Sequence, residues 1–332
     1  QKLENADGML AVDQAITLYG CEESQDAGTE ELNQWYLDAI NLGNDSFRTD
    51  KDVMVELIDS GVSYSESINN TQRYDLLDDE IDVLFDDTAG HGTALAGMIG
   101  ASNNANGIRG IFPDVDLLSV KVMDARLEAS VGDVIEAIYL GIDQGADVIN
   151  LSMGTSVDSS VLHQAVTDAY NAGILLVASA GNTGQSGILY PAAYDEVMAV
   201  GSSDENGLQS DFTSAGDELE LLAPGEKIIT MGILDGVAST EGTSLSTAEV
   251  SASAAILLSQ EGSSRDLVRD LLRASSRNVA NSSAGLLDIG YALEIYDDFS
   301  ENYISENSGT YLPVNSNQPS SYDADGIISG MW

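Results

Sequence analysis

Short apolar runs of strand length recur along the chain. Positions 53–58 read Val53-Met54-Val55-Glu56-Leu57-Ile58 and stop at a turn, Asp59-Ser60-Gly61. Runs of the same kind occupy 116–122, 146–151, 173–179 and 196–201. Between them the apolar positions take helical spacing over 93–99, 131–144 and 161–172. Buried strands alternating with helices of about 10–15 residues predict an α/β fold, a three-layer α/β/α stack around a mostly parallel sheet. Ligands meet such sheets at the carboxyl ends of the strands. That rule lines up Asp59, Ser152 and 179–182 along one edge. The Ser/Ala-rich stretch 243–260 is helix-prone, 264–276 reads as a further helix, and 285–296 closes the compact part. From 297 to 332 the chain is rich in Asn, Ser, Gly, Asp and Tyr, so 296–332 is expected to be a polar acidic tail or linker. Residues 1–50 are polar and acidic, with apolar patches at 9–19 and 35–40.

Composition narrows the function. Apolar residues make up 43% of the 332, enough for a substantial core. Twelve Lys and Arg against 55 Asp and Glu give a net charge of −43, which excludes nucleic acid as the main partner and repels anionic lipid. The acidity fits an anionic secreted surface. One Cys forms no internal disulfide, and with two His it builds no ordinary structural zinc site. An oxygen-lined site for a hard cation stays open. No apolar run approaches about 20 residues, so no membrane-spanning helix is expected. Gln1 opens the sequence without a basic-then-apolar leader, so any signal peptide is expected to be already removed or not included.

With two histidines, a general base of imidazole type is His91 or His163. His163 sits in an ordinary helical stretch. His91 lies in Asp87-Thr88-Ala89-Gly90-His91-Gly92-Thr93, a Gly-flanked polar loop running into a helix. On local composition a structural role fits it equally well. Ser244, in Gly242-Thr243-Ser244-Leu245-Ser246-Thr247-Ala248, begins an apolar helix. There a hydroxyl can face a cleft beside helix N-terminal N–H groups, although a plain N-cap reads the same. Asp59 is equally a turn residue, and Asn182 by itself is an ordinary loop residue.

Taken together, the order Asp59, His91, Ser244, each in its own motif, resembles the subtilisin-like serine proteases. Val55-Glu56-Leu57-Ile58-Asp59-Ser60-Gly61 resembles the family's aspartate motif, and His91-Gly92-Thr93 with Ala96-Gly97 its histidine motif. Gly242-Thr243-Ser244-Leu245-Ser246 resembles the serine motif and Ala180-Gly181-Asn182 the oxyanion segment. Val148-Ile149-Asn150-Leu151-Ser152-Met153-Gly154 resembles the strand lining the substrate cleft, and Leu222-Ala223-Pro224-Gly225 is a further match. The resemblance implies a serine endopeptidase with Asp59, His91 and Ser244 as triad and Asn182 as oxyanion donor. It implies that Ser152, Met153 and Gly154 form one wall of the substrate pocket and Ser179, Ala180 and Gly181 the other. It also implies that Val131, Val134 and Met153 hold the fourth residue before the cut. Asp87, near His91, is expected to favour cationic peptides. Where the family commonly continues with Pro-His, this chain has Ala248-Glu249.

The resemblance carries further expectations. Ser102-Asn103-Asn104-Ala105-Asn106-Gly107-Ile108 resembles a loop that wraps Ca²⁺, with Asn104 as side-chain ligand and Ser102, Asn106 and Ile108 around it. Glu66 is the nearest extra carboxylate. The chemistry itself needs no cofactor. Segment 12–19 resembles the last strand of an inhibitory prodomain, so 1–19 is expected to be its remnant and 20–295 the catalytic domain, with self-cleavage at Tyr19–Gly20. The expected partners are a peptide or protein substrate and the chain's own prodomain. The expected state is a monomer, secreted or in the cell envelope. Arg265, Arg269, Arg273 and Arg277, four apart, form a solvated helix face that offers a dock for an acidic tail or partner. Two alternatives remain: a dedicated maturation protease, and a catalytically silent binding protein of the same fold.

Overall fold

The computed structural model describes residues 33–43, 49–68, 71–77, 87–102 and 107–307, with short strands at 17–20, 25–26, 321–322 and 328–329. Two strands come first, β1 (Thr17–Gly20) and β2 (Gln25–Asp26), followed by helix α1 (Trp35–Ala39). Next are β3 (Met54–Asp59), β4 (Thr71–Asp75), α2 (His91–Gly100), β5 (Asp116–Lys121), β6 (Glu128–Ser130) and α3 (Val131–Gln144). The chain continues through β7 (Val148–Leu151), β8 (Met153–Gly154), α4 (Ser160–Asn171), β9 (Leu175–Ser179), β10 (Val197–Ser203) and β11 (Leu219–Pro224). The antiparallel pair β12 (Ile228–Met231) and β13 (Val237–Thr240) precedes α5 (Thr243–Leu258). Then come α6 (Arg265–Ala274), β14 (Gly285–Leu286) and α7 (Ile289–Asn307).

Eight strands form one sheet in the order β14-β11-β10-β9-β7-β3-β5-β4, with every neighbour parallel. The period of two along each strand feeds two separate cores. Val55, Leu57, Leu175 and Val177 join the apolar cluster made with α1, α2, α5, α6 and α7. Ile58, Leu176 and Ala178 join the cluster made with α3 and α4. The fold is therefore the three-layer α/β/α stack that the alternation predicts. All 16 residues of α5 are buried, which its Ser and Ala content permits by letting neighbours approach closely.

Two expectations are corrected. Helix α7 runs on to Asn307, across the boundary expected at 296. Tyr296 and Phe299 are buried in the first core and Tyr303 packs against it, so aromatic rings at helical spacing do what aliphatics do elsewhere. The arginine row on and just after α6 is paired within the molecule, with Arg273 and Arg277 still close to half exposed. Arg269 pairs with Glu220 of β11 and donates to the Val197 carbonyl at 3.1 Å. Arg277 pairs with Asp288 at 3.2 Å, and Arg265 lies over the Tyr170 ring at 3.4 Å. These contacts staple α6 to its surroundings rather than offering a dock. No helix among the described residues is long and apolar enough to cross a membrane.

β1 inserts as the middle strand of a second, three-stranded sheet. It pairs antiparallel with β6 on one side (Leu18 opposite Ala129) and with β8 on the other (Tyr19 opposite Gly154, Gly20 opposite Met153). Further on, β2 pairs with β13, with Gln25 opposite Ser239.

Candidate active site

The carboxyl ends of β3, β7 and β9 bring together three of the segments singled out in the sequence. Asp59 ends β3 and is fully buried. Its Oδ1 accepts the Ser60 N–H at 2.7 Å and the Ser60 hydroxyl at 3.2 Å, and stands 2.6 Å from His91 Nδ1. His91 opens α2. Gly92 is what allows this approach, because a β-carbon there would lie 2.1 Å from the Gly61 carbonyl oxygen and 3.1 Å from Asp59 Oδ1. An imidazole whose Nδ1 is held by a carboxylate presents its other nitrogen as a proton acceptor.

Asp87 has a different task from the one expected. It is buried, as His91 and Ser244 are, and both of its oxygens are taken up by hydrogen bonds. Its Oδ1 accepts from Ser60 Oγ (2.9 Å), Ala89 N–H (3.1 Å) and Gly90 N–H (2.8 Å). Its Oδ2 accepts from Thr93 N–H (2.8 Å) and Thr93 Oγ1 (2.6 Å). Burial pushes its pKa up, against the opposing pull of the Thr93 and Gly90 bonds. Asp87 thus ties the first turn of α2 to Ser60, and so His91 to the end of β3.

Ser244 is the second residue of α5, which packs against α2. Its hydroxyl donates to the Ser152 carbonyl at 3.3 Å, while Ser152 Oγ donates to the Ser244 carbonyl at 3.2 Å. Asn150 braces this contact: its Nδ2 donates to Ser152 Oγ and its Oδ1 accepts from Ser251 of α5, both at 2.9 Å. Asn182 follows β9. Its Oδ1 accepts the Thr243 N–H at 3.0 Å and the Thr243 hydroxyl at 2.8 Å, which turns its Nδ2 donors away from Thr243. The wall residues Ser152, Met153, Ser179 and Ala180 are buried, as are Val134 and Met153 in the second core, with Val131 at 9% exposure.

Ser60, Thr93, Asn150 and Thr243 hold the principal side chains in place. They stand inside the quoted motifs, but a motif does not reveal which member touches which. His163 lies elsewhere, stacked on Tyr194 with 4.1 Å between centroids and 3.0 Å from Glu196. Of the loop expected to bind calcium, Asn104 and Asn106 lie outside the described residues. Ser102 Oγ donates to the Ser67 carbonyl at 2.9 Å, and Ile108 is buried. Among the described residues no group of three His, Cys, Asp or Glu side chains is placed to hold a metal.

Residues 50–291 match the model of the Subtilase family. The chain is 34% identical over 232 residues to the minor extracellular protease Epr of Bacillus subtilis, covering 69% of this chain and 36% of that protein. It is 42% identical over 176 residues to the thermostable alkaline protease of Halalkalibacterium halodurans, covering 53% of this chain and 49% of the relative. It is 37% identical over 216 residues to subtilisin DY of Bacillus licheniformis, covering 63% and 79%. The matches thus span under half the length of the first two relatives and most of the third. By sequence, sheet topology and the order of its motifs, this chain belongs to the subtilase family.

Proposed function

We propose that the protein is a serine endopeptidase in which Ser244 is the nucleophile, His91 the general base and acid, and Asp59 its orienting partner. The observation that carries this reading is the buried 2.6 Å contact between His91 Nδ1 and Asp59 at the carboxyl edge of the sheet. Ser244 Oγ leaves the Ser152 carbonyl as it bonds to the scissile carbonyl carbon, and its proton passes to His91 Nε2. The tetrahedral oxyanion is held by Asn182 Nδ2 and the Ser244 N–H. As it collapses the C–N bond breaks, His91 returns the proton to the leaving amine, and an acyl-enzyme remains. Water, deprotonated by His91, hydrolyses that ester and restores Ser244. A fluorophosphonate probe is expected to label the protein, and labelling is expected to vanish in Ser244→Ala. Labelling retained in Ser244→Ala overturns the assignment.

The extended peptide runs between β6 and β8, where the chain's own β1 lies, and Val131, Val134 and Met153 take its fourth residue before the cut. β1 therefore acts as a tethered inhibitor made with the enzyme. Its register favours a cut other than Tyr19–Gly20. Tyr19 pairs with Gly154 and Gly20 with Met153, so Tyr19 stands two ladder positions, about 7 Å, from Ser152, the residue whose carbonyl Ser244 reaches. Sequence continued from Gly20 brings the cut after Cys21. N-terminal sequencing of the active chain is expected to give Glu22, with the Ser244→Ala chain uncut. A first residue of Gly20 restores the earlier site.

Two finer readings complete the proposal. The protein is secreted, as the minor extracellular protease of Bacillus subtilis is by its name. Asn104 with carbonyls of its loop would hold a structural Ca²⁺, which would take no part in the chemistry. The donor set lacks a placed carboxylate, since Glu66 is exposed on the 65–68 loop to which Ser102 is tied. Chelation is expected to lower the melting temperature, and an unchanged melting curve removes the ion.

A further inference from the structure

We propose that Leu189 fills the pocket that receives the residue on the acyl side of the cut, and so restricts the enzyme to small residues there. The inference rests on the protease reading above and concerns which peptides that site accepts. The two pocket walls are bare glycine where they face each other. A methyl group on Gly154 would lie 2.7 Å from Leu189 Cβ and 3.0 Å from its Cδ1. One on Gly181 would lie 2.7 Å from Leu189 Cδ1 and 2.8 Å from its Cγ. A single isobutyl group therefore touches both walls and takes the space between them.

Leu189 is held there by its backbone. Its N–H donates to the Ala180 carbonyl of one wall at 3.1 Å. The next residue, Tyr190, exchanges two bonds of 2.9 Å with Thr155, which directly follows Gly154 of the other wall. Moving the Leu189 backbone out of the gap breaks bonds to both walls. Gly181 adopts φ +105°, so that wall cannot gain a side chain without strain, and the depth of the gap is set from the Leu189 side. An aromatic side chain needs room to bury about 150–250 Å², and that room is occupied. Gly, Ala, Ser or Cys fits without displacing Leu189. The β1 register agrees, because it sets the large Tyr19 away from the position before the cut.

The test compares two tetrapeptide anilides differing only in Ala or Phe before the cut, on the processed full chain. Wild type is expected to prefer Ala by about tenfold or more in kcat/KM. Leu189→Gly is expected to shift the Phe-to-Ala ratio by at least tenfold toward Phe, with Leu189→Ala intermediate. Fluorophosphonate labelling of each protein counts competent Ser244 independently of the peptide. Wild type that takes Phe as well as Ala, or a ratio unmoved in labelled Leu189→Gly and Leu189→Ala, overturns the proposal alone. No labelling and no cleavage of either peptide by wild type removes the protease reading, and this inference with it. If Leu189→Gly does not fold, the wild-type preference and Leu189→Ala still decide.

Discussion

Strand β3 carries two carboxyl groups three residues apart, both fully buried, in opposite surroundings. Asp59, at the end of the strand, is met by the Ser60 N–H, the Ser60 hydroxyl and His91. Glu56, in mid-strand, faces α3 at Gly141, and neither of its oxygens has a hydrogen-bond partner. The helices repeat the contrast. Asp87 receives five hydrogen bonds at the start of α2, whereas Glu249, inside α5, receives none on either oxygen. Burial alone does not separate these groups. Position along the element does. N–H donors are free where strands end and helices begin, and are consumed in the ladder or helix elsewhere. A carboxylate at an element end is held for use. One in mid-element is a burden, and burial pushes the pKa of both Glu56 and Glu249 well above the usual range.

Substituting along this contrast gives its largest test. Asp59→Asn is expected to lower kcat by about 10⁴ with the fold intact, since His91 loses the partner that sets its tautomer. Glu56→Gln, on the same strand, is expected to leave kcat unchanged. Loss of turnover in Glu56→Gln, or near-full turnover in Asp59→Asn, erases the distinction between end and middle. Next in size, Asn182→Ala is expected to cost about 10²–10³ in kcat with little change in KM.

Asp87 sharpens the comparison from the helix side. Asp87→Ala releases the cap on α2 and the link to Ser60. It is expected to lower kcat by about 10–100-fold through misplacement of His91, with KM unchanged and the melting temperature reduced. If Asp87 steers substrate after all, the loss appears instead in KM for cationic peptides and shrinks as salt rises.

The parallel sheet and its helices were legible because each strand is a short apolar run and each helix keeps its spacing; α3 coincides with the predicted 131–144. The candidate site was legible through its motifs, since strand ends gather Asp59, Ser152 and Asn182 without knowledge of the rest. What sequence did not disclose depends on distance across the chain. Asp87 read as a charge near His91, yet its partners Ser60 and Thr93 spend it internally. Leu189 reads as an ordinary loop residue, and only the approach of Gly154 and Gly181 from two strands reveals what it fills. The far half of α7 was missed because Phe299 and Tyr303 stand in a segment whose other residues are, except for Ile304, polar.

The smallest effect expected is on stability, and its sign follows from protonation. Glu56 and Glu249 have folded-state pKa values raised by burial above an unfolded value of about 4.3. Below that pH both states are protonated and the groups cost nothing through ionisation. As pH rises past it the unfolded chain releases protons that the folded chain still holds. Stability therefore falls with pH until the folded value is reached. Glutamine keeps the shape and removes the ionisation, so Glu56→Gln and Glu249→Gln, each in a Ser244→Ala background to prevent self-digestion, gain relative to their parent as pH rises. The melting temperature is expected to match the parent near pH 4 and to exceed it by a few degrees at pH 8. Glu249→Gln also removes an acid acting on buried Tyr36, whose pKa is raised first by burial and then by Glu249, so that tyrosine should ionise at lower pH in the variant. An equal increment at both pH values, or a loss at pH 8, would mean that these carboxyls find partners on folding and that mid-element burial is not the burden inferred from Glu56 and Glu249.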